Sequence, residues 1–134
     1  MGLFSGKRPT DLGVSKGRLK PPPSSPNAVS SQAQDARHAI APLSYSSSAE
    51  RAMDALVGIV EATPRTRIIS RTKDYLYAEY KSALMGFVDD VEFWLEPNTK
   101  IIHVRSASRL GRSDFGVNRA RIEDTRRKLD ASGA

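Results

Sequence analysis

Phe87-Val88-Asp89-Asp90-Val91-Glu92-Phe93-Trp94-Leu95, the turn Pro97-Asn98-Thr99-Lys100 and Ile101-Ile102-His103-Val104-Arg105-Ser106-Ala107 together decide the fold. Phe87, Val91, Phe93 and Leu95 share one face at the two-residue period of a strand. A four-residue loop pairs Leu95 with Ile102 and Phe93 with Val104, which keeps apolar side chains on one face. The same register sets Glu92 opposite Arg105 and Trp94 opposite His103. A slip of one residue would oppose Phe93 and His103.

Two more strands precede this hairpin. Thr66 to Arg71 and Tyr75 to Tyr80 flank the short loop Thr72-Lys73-Asp74, with Arg67 opposite Glu79 and Ile68 opposite Ala78. A helix comes before them. Ser47 and Glu50 have capping-box spacing, and Met53, Leu56, Val57 and Val60 make one apolar stripe. Thr63-Pro64 ends it, because the residue before proline avoids the helical region. A last helix runs from about Val117 to Leu129. Ile122, Thr125 and Leu129 form a narrow inward stripe, with Arg119, Arg121, Arg126, Arg127 and Lys128 outward. Ser113-Asp114 is its start signal. The order predicts an α+β fold: a four-stranded antiparallel sheet with one helix before it and one after.

The 134 residues suit one domain, 21–134. Residues 21–48, rich in Ser and Pro, read as an extended arm lying on it. Residues 1–20 read as a disordered basic tail: Lys7, Arg8, Lys16, Arg18 and Lys20 stand against Asp11 alone, so most of the net charge of +6 sits there. A basic stripe on a folded surface is what nucleic-acid binding needs, so no specific nucleic acid is expected. Weak contact of the tail with an anionic membrane surface stays open. No apolar run approaches the roughly 20 residues of a membrane span, and Met1 to Gly6 carry no secretory or myristoylation pattern. The expected location is cytoplasmic. The absence of cysteine excludes a disulfide or a thiolate site, and two histidines leave little for a metal centre. No metal and no cofactor is expected.

Three places offer chemistry. The segment Arg105 to Arg119 leaves a strand and enters a helix, and its arginines, hydroxyls and two glycines suit an anion site. Its alternative is a solvated loop in which Asp114 caps the helix. Asp89 faces Ser106 and Ser108, a hydrogen-bonded cluster, while Asp90 points to the other face, so the two are not an acid–base pair. The sheet's second face collects Tyr75, Tyr77, Trp94 and His103, a contact surface or ordinary cross-strand pairs. His38 has no identifiable partner in the arm.

Ser25-Pro26-Asn27-Ala28-Val29-Ser30-Ser31-Gln32-Ala33, Phe87 to Phe93, and Ile102 to Arg109 continued through Ser113 to Arg119 resemble a family, domain-of-unknown-function family 1499. The likeness spans roughly residues 19–130. It implies a family widespread in bacteria without a settled activity. The family's arm commonly reads Cys-Pro-x-Ser-Pro-Asn-Cys; Pro22 and Ala28 stand at the cysteine positions, so a thiol or disulfide role for the arm does not carry over.

The leading expectation is a small non-enzymatic binding module for an anion, a polar molecule or a protein segment. Its candidate site comprises Asn27, Ser30, Ser31, Asp89, Arg105, Ser106, Ser108, Arg109, Ser113, Asp114, Asn118 and Arg119. One rival is a hydrolase with Asp89 or His103 as base, although the register sets His103 on the face away from Asp89, Ser106 and Ser108. The other is an interaction domain using Tyr75, Tyr77, Trp94 and His103. No catalytic residue is assigned, and the oligomeric state is left open.

Overall fold

A computed structural model describes residues 6–83, 86–111, 114 and 116–134. In chain order the elements are β1 (Val14–Ser15), β2 (Arg18–Leu19), β3 (Ala28–Ser30), β4 (Leu43–Ser44), α1 (Ala49–Ala62), β5 (Thr66–Arg71), β6 (Tyr75–Lys81), β7 (Val88–Glu96), β8 (Ile101–Ser108) and α2 (Val117–Ser132). β8, β7, β6 and β5 form an antiparallel meander from the four expected strands, and both hairpins have the expected register: Leu95 opposes Ile102, Phe93 opposes Val104 and Arg67 opposes Glu79. A bulge between Ile68 and Ser70 interrupts the outer strand.

The sheet has six strands rather than four. The expected extended arm supplies the other two. β3 pairs with β8 through Val29–Ser106, and β4 pairs with the same edge through Leu43–Ile102. Strands of three and two residues carry no readable alternation. They form because the outer edge of β8 would otherwise present a row of unpaired N–H and C=O groups.

One face of the sheet is apolar and carries both helices. Leu76, Val91, Phe93, Ile102 and Val104 meet Met53, Leu56 and Val60 of α1 and Ile122 and Leu129 of α2. Burying each of these large side chains contributes roughly 1.5–3 kcal/mol. Ser48, not Ser47, is the cap of α1, and its hydroxyl accepts the Arg51 N–H. Thr63 ends α1 in an extended conformation ahead of Pro64, as the proline requires. At α2 the cap residue is Gly116. Asp114 does the work from two positions upstream, accepting the N–H groups of Gly116 and Asn118.

Residues 6–20 correct the expectation of a loose tail. They cross the second face of the sheet. β1 and β2 close on Lys16 and Gly17, both at positive φ, the backbone of a tight two-residue hairpin turn. Leu19 is 3% exposed. Arg8 pairs with Glu79, Lys20 with Asp11, and the Gly13 N–H donates to Glu92. The tail's charge therefore answers carboxylates that strand alternation places on that face. No helix among the described residues is long and apolar enough to cross a membrane.

Candidate functional site

Adjacent strand residues face opposite ways, so the segment from Arg105 to Arg119 splits into two sites instead of one. Ser106 and Ser108 point to the helix side, Arg105 and Arg109 to the second face, which residues 6–20 cross.

On the helix side lies a polar knot centred on Asn118, which is fully buried. Its amide nitrogen donates to the Asn27 carbonyl (3.1 Å), the Ser108 hydroxyl (3.0 Å) and the Asp114 carboxylate (2.6 Å). Its amide oxygen accepts from Ser106 at 2.5 Å and from Arg121 at 3.1 Å. Arg121 also donates to Asp89 at 2.7 Å, and its guanidinium lies over the Tyr80 ring at 4.7 Å. Burial pushes the Tyr80 phenol up to about 12. Asn27 is tied in turn to the carbonyl of Gly111. Asp89, Ser106, Ser108, Asp114, Asn118 and Asn27 are thus brought together.

Arg121 is the member that the sequence reading put on the outward face. The signal was available: Asn118, Arg121 and Thr125 are spaced three and four apart, so they share one side of a helix. An arginine there is admitted because Asp89 and Tyr80 receive it.

The other candidates lie elsewhere. Arg105 faces Glu92 at 3.9 Å, and both are buried; the Gly13 N–H donates to Glu92, and Arg105 donates to the Pro21 carbonyl. Arg109 makes a fork to Asp90, with Nε to Oδ2 at 2.9 Å and Nη2 to Oδ1 at 2.8 Å, and it also donates to Glu79. These carboxylates hold the Arg109 guanidinium well above its ordinary range, the hydrogen bond to Asp90 being the largest cause. An anion site built on Arg105 and Arg109 is therefore not what the geometry offers, because the fork of Arg109 is occupied. Arg119 lies away from both and donates to the Arg37 carbonyl. Ser30 is buried at the arm's strand edge. Ser113 falls outside the described residues.

Tyr75, Tyr77, Trp94 and His103 do share the second face, which residues 6–20 cross, and His103 meets Ser31 of the arm. Tyr77 donates to Asp90 and Tyr75 to Glu92, both at 2.6 Å. Trp94 is buried and stacks on His103. Burial and these carboxylates push both tyrosine phenols up. His38 also has partners: Nδ1 lies 2.6 Å from Asp35 and Nε2 lies 2.8 Å from the Ser25 carbonyl.

Glu92 is fully buried, and desolvation raises its carboxyl above the ordinary 4.5. Folding therefore favours its protonated form. Its contribution is fully present below about pH 4.5 and is lost as pH rises through the folded value. Glu79 has the opposite sign: its hydrogen bonds to Arg8 and Arg109 hold it low, so its contribution is lost as pH falls. In urea melts, Glu92→Gln is expected to gain stability relative to the native chain between pH 5 and pH 8. A difference that stays constant over that interval would contradict the buried, raised carboxyl.

The hydrolase alternative meets one constellation that the sequence reading did not assemble. The Ser31 hydroxyl lies 3.1 Å from His103 Nδ1, and His103 Nε2 lies 3.4 Å from Glu96. Ser31 Oγ, however, accepts the Val104 N–H at 2.8 Å and also lies 3.4 Å from the Val104 carbonyl. That makes it a staple between the arm and β8. None of the three residues lines the cavity described next.

A groove of about 690 Å³ opens beside the Asn118 knot. Asp89, Ser108, Asp114, Tyr80 and Arg121 belong to its wall, as do Pro64, Phe87, Val88, Leu110, Val117 and Ala120. Among the described residues four large apolar side chains are exposed, and three of them, Phe87, Leu110 and Val117, are in this groove. A smaller recess of about 460 Å³ lies on the second face, between Lys7, Lys20, Pro21 to Pro23, Arg105 and Arg109.

Sheet, helices and groove together define a small α+β domain with a cleft across its strand ends and a polar knot beside it. Comparison with protein families puts a name to that class. The chain belongs to the family described as Protein of unknown function (DUF1499), whose model matches residues 18–129. Comparison with curated proteins finds no match. The matched segment takes in β2, the extended arm, the sheet and all but the end of α2. Residues 6–17, which cover Glu92 and Glu79, lie outside it.

Proposed function

We propose that the protein is a small binding module without catalytic activity, and that its ligand sits in the groove beside the Asn118 knot. The carrying observation is the gathering of Phe87, Leu110 and Val117 around a cavity of about 690 Å³. Small-molecule clefts measure about 300–1,000 Å³ and have mostly apolar walls with few polar groups. Exposed apolar side chains clustered at one concavity mark an interaction site more often than scattered ones do. The knot's part is to tie Asn27, the end of β8, Asp114 and the start of α2 together, so that this part of the wall is preformed. A catalytic reading has less support, since Ser106 and Asn118 are bonded within the knot and Asp89 is paired with Arg121.

The test uses 8-anilinonaphthalene-1-sulfonate as fluorescent probe and Val117→Asp as variant. Val117 is 48% exposed and opens α2, where an acidic residue suits the helix dipole, so the fold tolerates the change. The native chain is expected to bind the probe, and Val117→Asp to lose affinity by about tenfold. Equal binding by both, or none by the native chain, would sink the groove as the ligand site.

A further inference from the structure

The wall of the groove carries three cations, Arg65, Lys81 and Arg121, and three carboxylates, Asp89, Asp114 and Asp124, but they are not paired with one another evenly, and the uneven pairing selects the ligand. Its acids are answered: Asp89 by Arg121, Asp114 by the start of α2 and the Asn118 amide, Asp124 by Arg127 and Lys128. Two wall residues, Arg65 and Lys81, have no acidic partner among the described residues. They are neighbours, because the Lys81 N–H donates to the Arg65 carbonyl at 2.9 Å.

The strand order gives the groove a direction. Arg65 precedes β5 and Lys81 ends β6, whereas Val88 begins β7 and Leu110 follows β8, with Val117 opening α2. The groove therefore crosses the strand ends from Arg65 and Lys81, with Phe87 nearby, to Leu110 and Val117, where Ser108 and the bonded Asp114 also belong to the wall. Three strand spacings separate β5 from β8, about 14 Å. Resting on the reading of the groove as the ligand site, we infer that its ligand is a free single-chain amphipathic anion, a fatty-acid-like carboxylate. Its head group lies at Arg65 and Lys81 and its chain runs over Tyr80 toward Leu110 and Val117. A concave wall with one charged end fits a single chain, whereas a bilayer surface calls for a convex or flat apolar face with flanking cations.

Three probes decide it: dodecanoate, dodecanol and phosphatidylglycerol vesicles, the first two below their aggregation concentrations and read by displacement of the fluorescent sulfonate. The native chain is expected to bind dodecanoate roughly tenfold more tightly than dodecanol, as two exposed ion pairs allow. The preference should fall with added salt. In Arg65→Gln/Lys81→Gln the preference should vanish while dodecanol binding stays. Both side chains are exposed and no carboxylate is left unpaired, so the fold is not at risk. Equal affinity of the native chain for the two probes would overturn the carboxylate and leave the groove standing. Failure of both probes to bind would overturn the groove as well. Co-sedimentation with vesicles in place of binding free dodecanoate would overturn the single-chain ligand.

Discussion

Replacing Arg109 by alanine is expected to lower stability by about 3–5 kcal/mol, the usual cost of stripping one partner from a buried ion pair. The Arg109 and Asp90 side chains are 7% and 3% exposed. Without the guanidinium, Asp90 keeps only the Tyr77 hydroxyl among its side-chain partners described above, and Glu79 keeps only the surface arginine Arg8. An uncompensated carboxylate in that position must take up a proton or draw in water. In thermal melts the loss corresponds to a fall in Tm on the order of 10 °C. The double variant Arg109→Met/Asp90→Leu is expected to recover much of it, because removing both charges leaves no orphan. A double-mutant cycle should return a coupling of about 2 kcal/mol or more. A loss below about 1 kcal/mol for Arg109→Ala would mean that the pair is wetter than its burial indicates. The same variant is expected to keep its affinity for the fluorescent probe, since Arg109 does not line the groove.

The second large effect is at Asn118. Alanine there removes the shared partner of the Asn27 carbonyl and of the Ser106, Ser108 and Asp114 side chains. Each buried group left without a bond costs about 1–3 kcal/mol. Ser108 and Asp114 have room to find water and the Asn27 carbonyl keeps the Ser108 N–H, whereas Ser106 is fully buried. A net loss of about 3 kcal/mol is expected. Asn118→Asp tests the cause, because it keeps the shape and reverses the chemistry. A carboxylate cannot donate to Asn27 or Ser108 and would stand against Asp114, which the amide now meets at 2.6 Å. It should destabilise about as much as alanine. Hydrogen exchange adds a readout specific to the arm. The amide of Ser108 donates to Asn27, so it should lose protection in both variants before the amides of Val91 and Phe93 do. Uniform loss across the sheet would mean that the knot stabilises the whole fold and does not pin the arm.

Much of the fold was legible, for reasons that lie in single residues. The alternation from Phe87 to Leu95 and the four-residue turn set the register of β7 and β8, because a one-residue slip would carry Phe93 out of the core. Thr63-Pro64 set the end of α1 through local sterics. The opposed directions of Asp89 and Asp90 follow from strand geometry alone, as does the company that Asp89 keeps with Ser108.

The tertiary structure decided what local pattern does not encode. β3 and β4 exist because β8 has an edge to fill, and three residues hold no period. Residues 6–20 lie on the sheet because Glu79 and Glu92, some seventy to eighty residues away in sequence, end on the same face as the chain folds. Arg105 and Arg109 read as free cations until the meander sets Glu92, Asp90 and Glu79 beside them. Arg121 read as solvent-facing until Asp89 and Tyr80 supplied a charge and a ring. The groove belongs to this second group as well. Arg65, Lys81, Phe87, Leu110 and Val117 each lie at the end of a different element, and only the strand order aligns them along one cleft. Pairings set by local sterics and periodicity are written in neighbouring residues, whereas a charge's partner and a cavity's wall depend on which distant segments the core brings together.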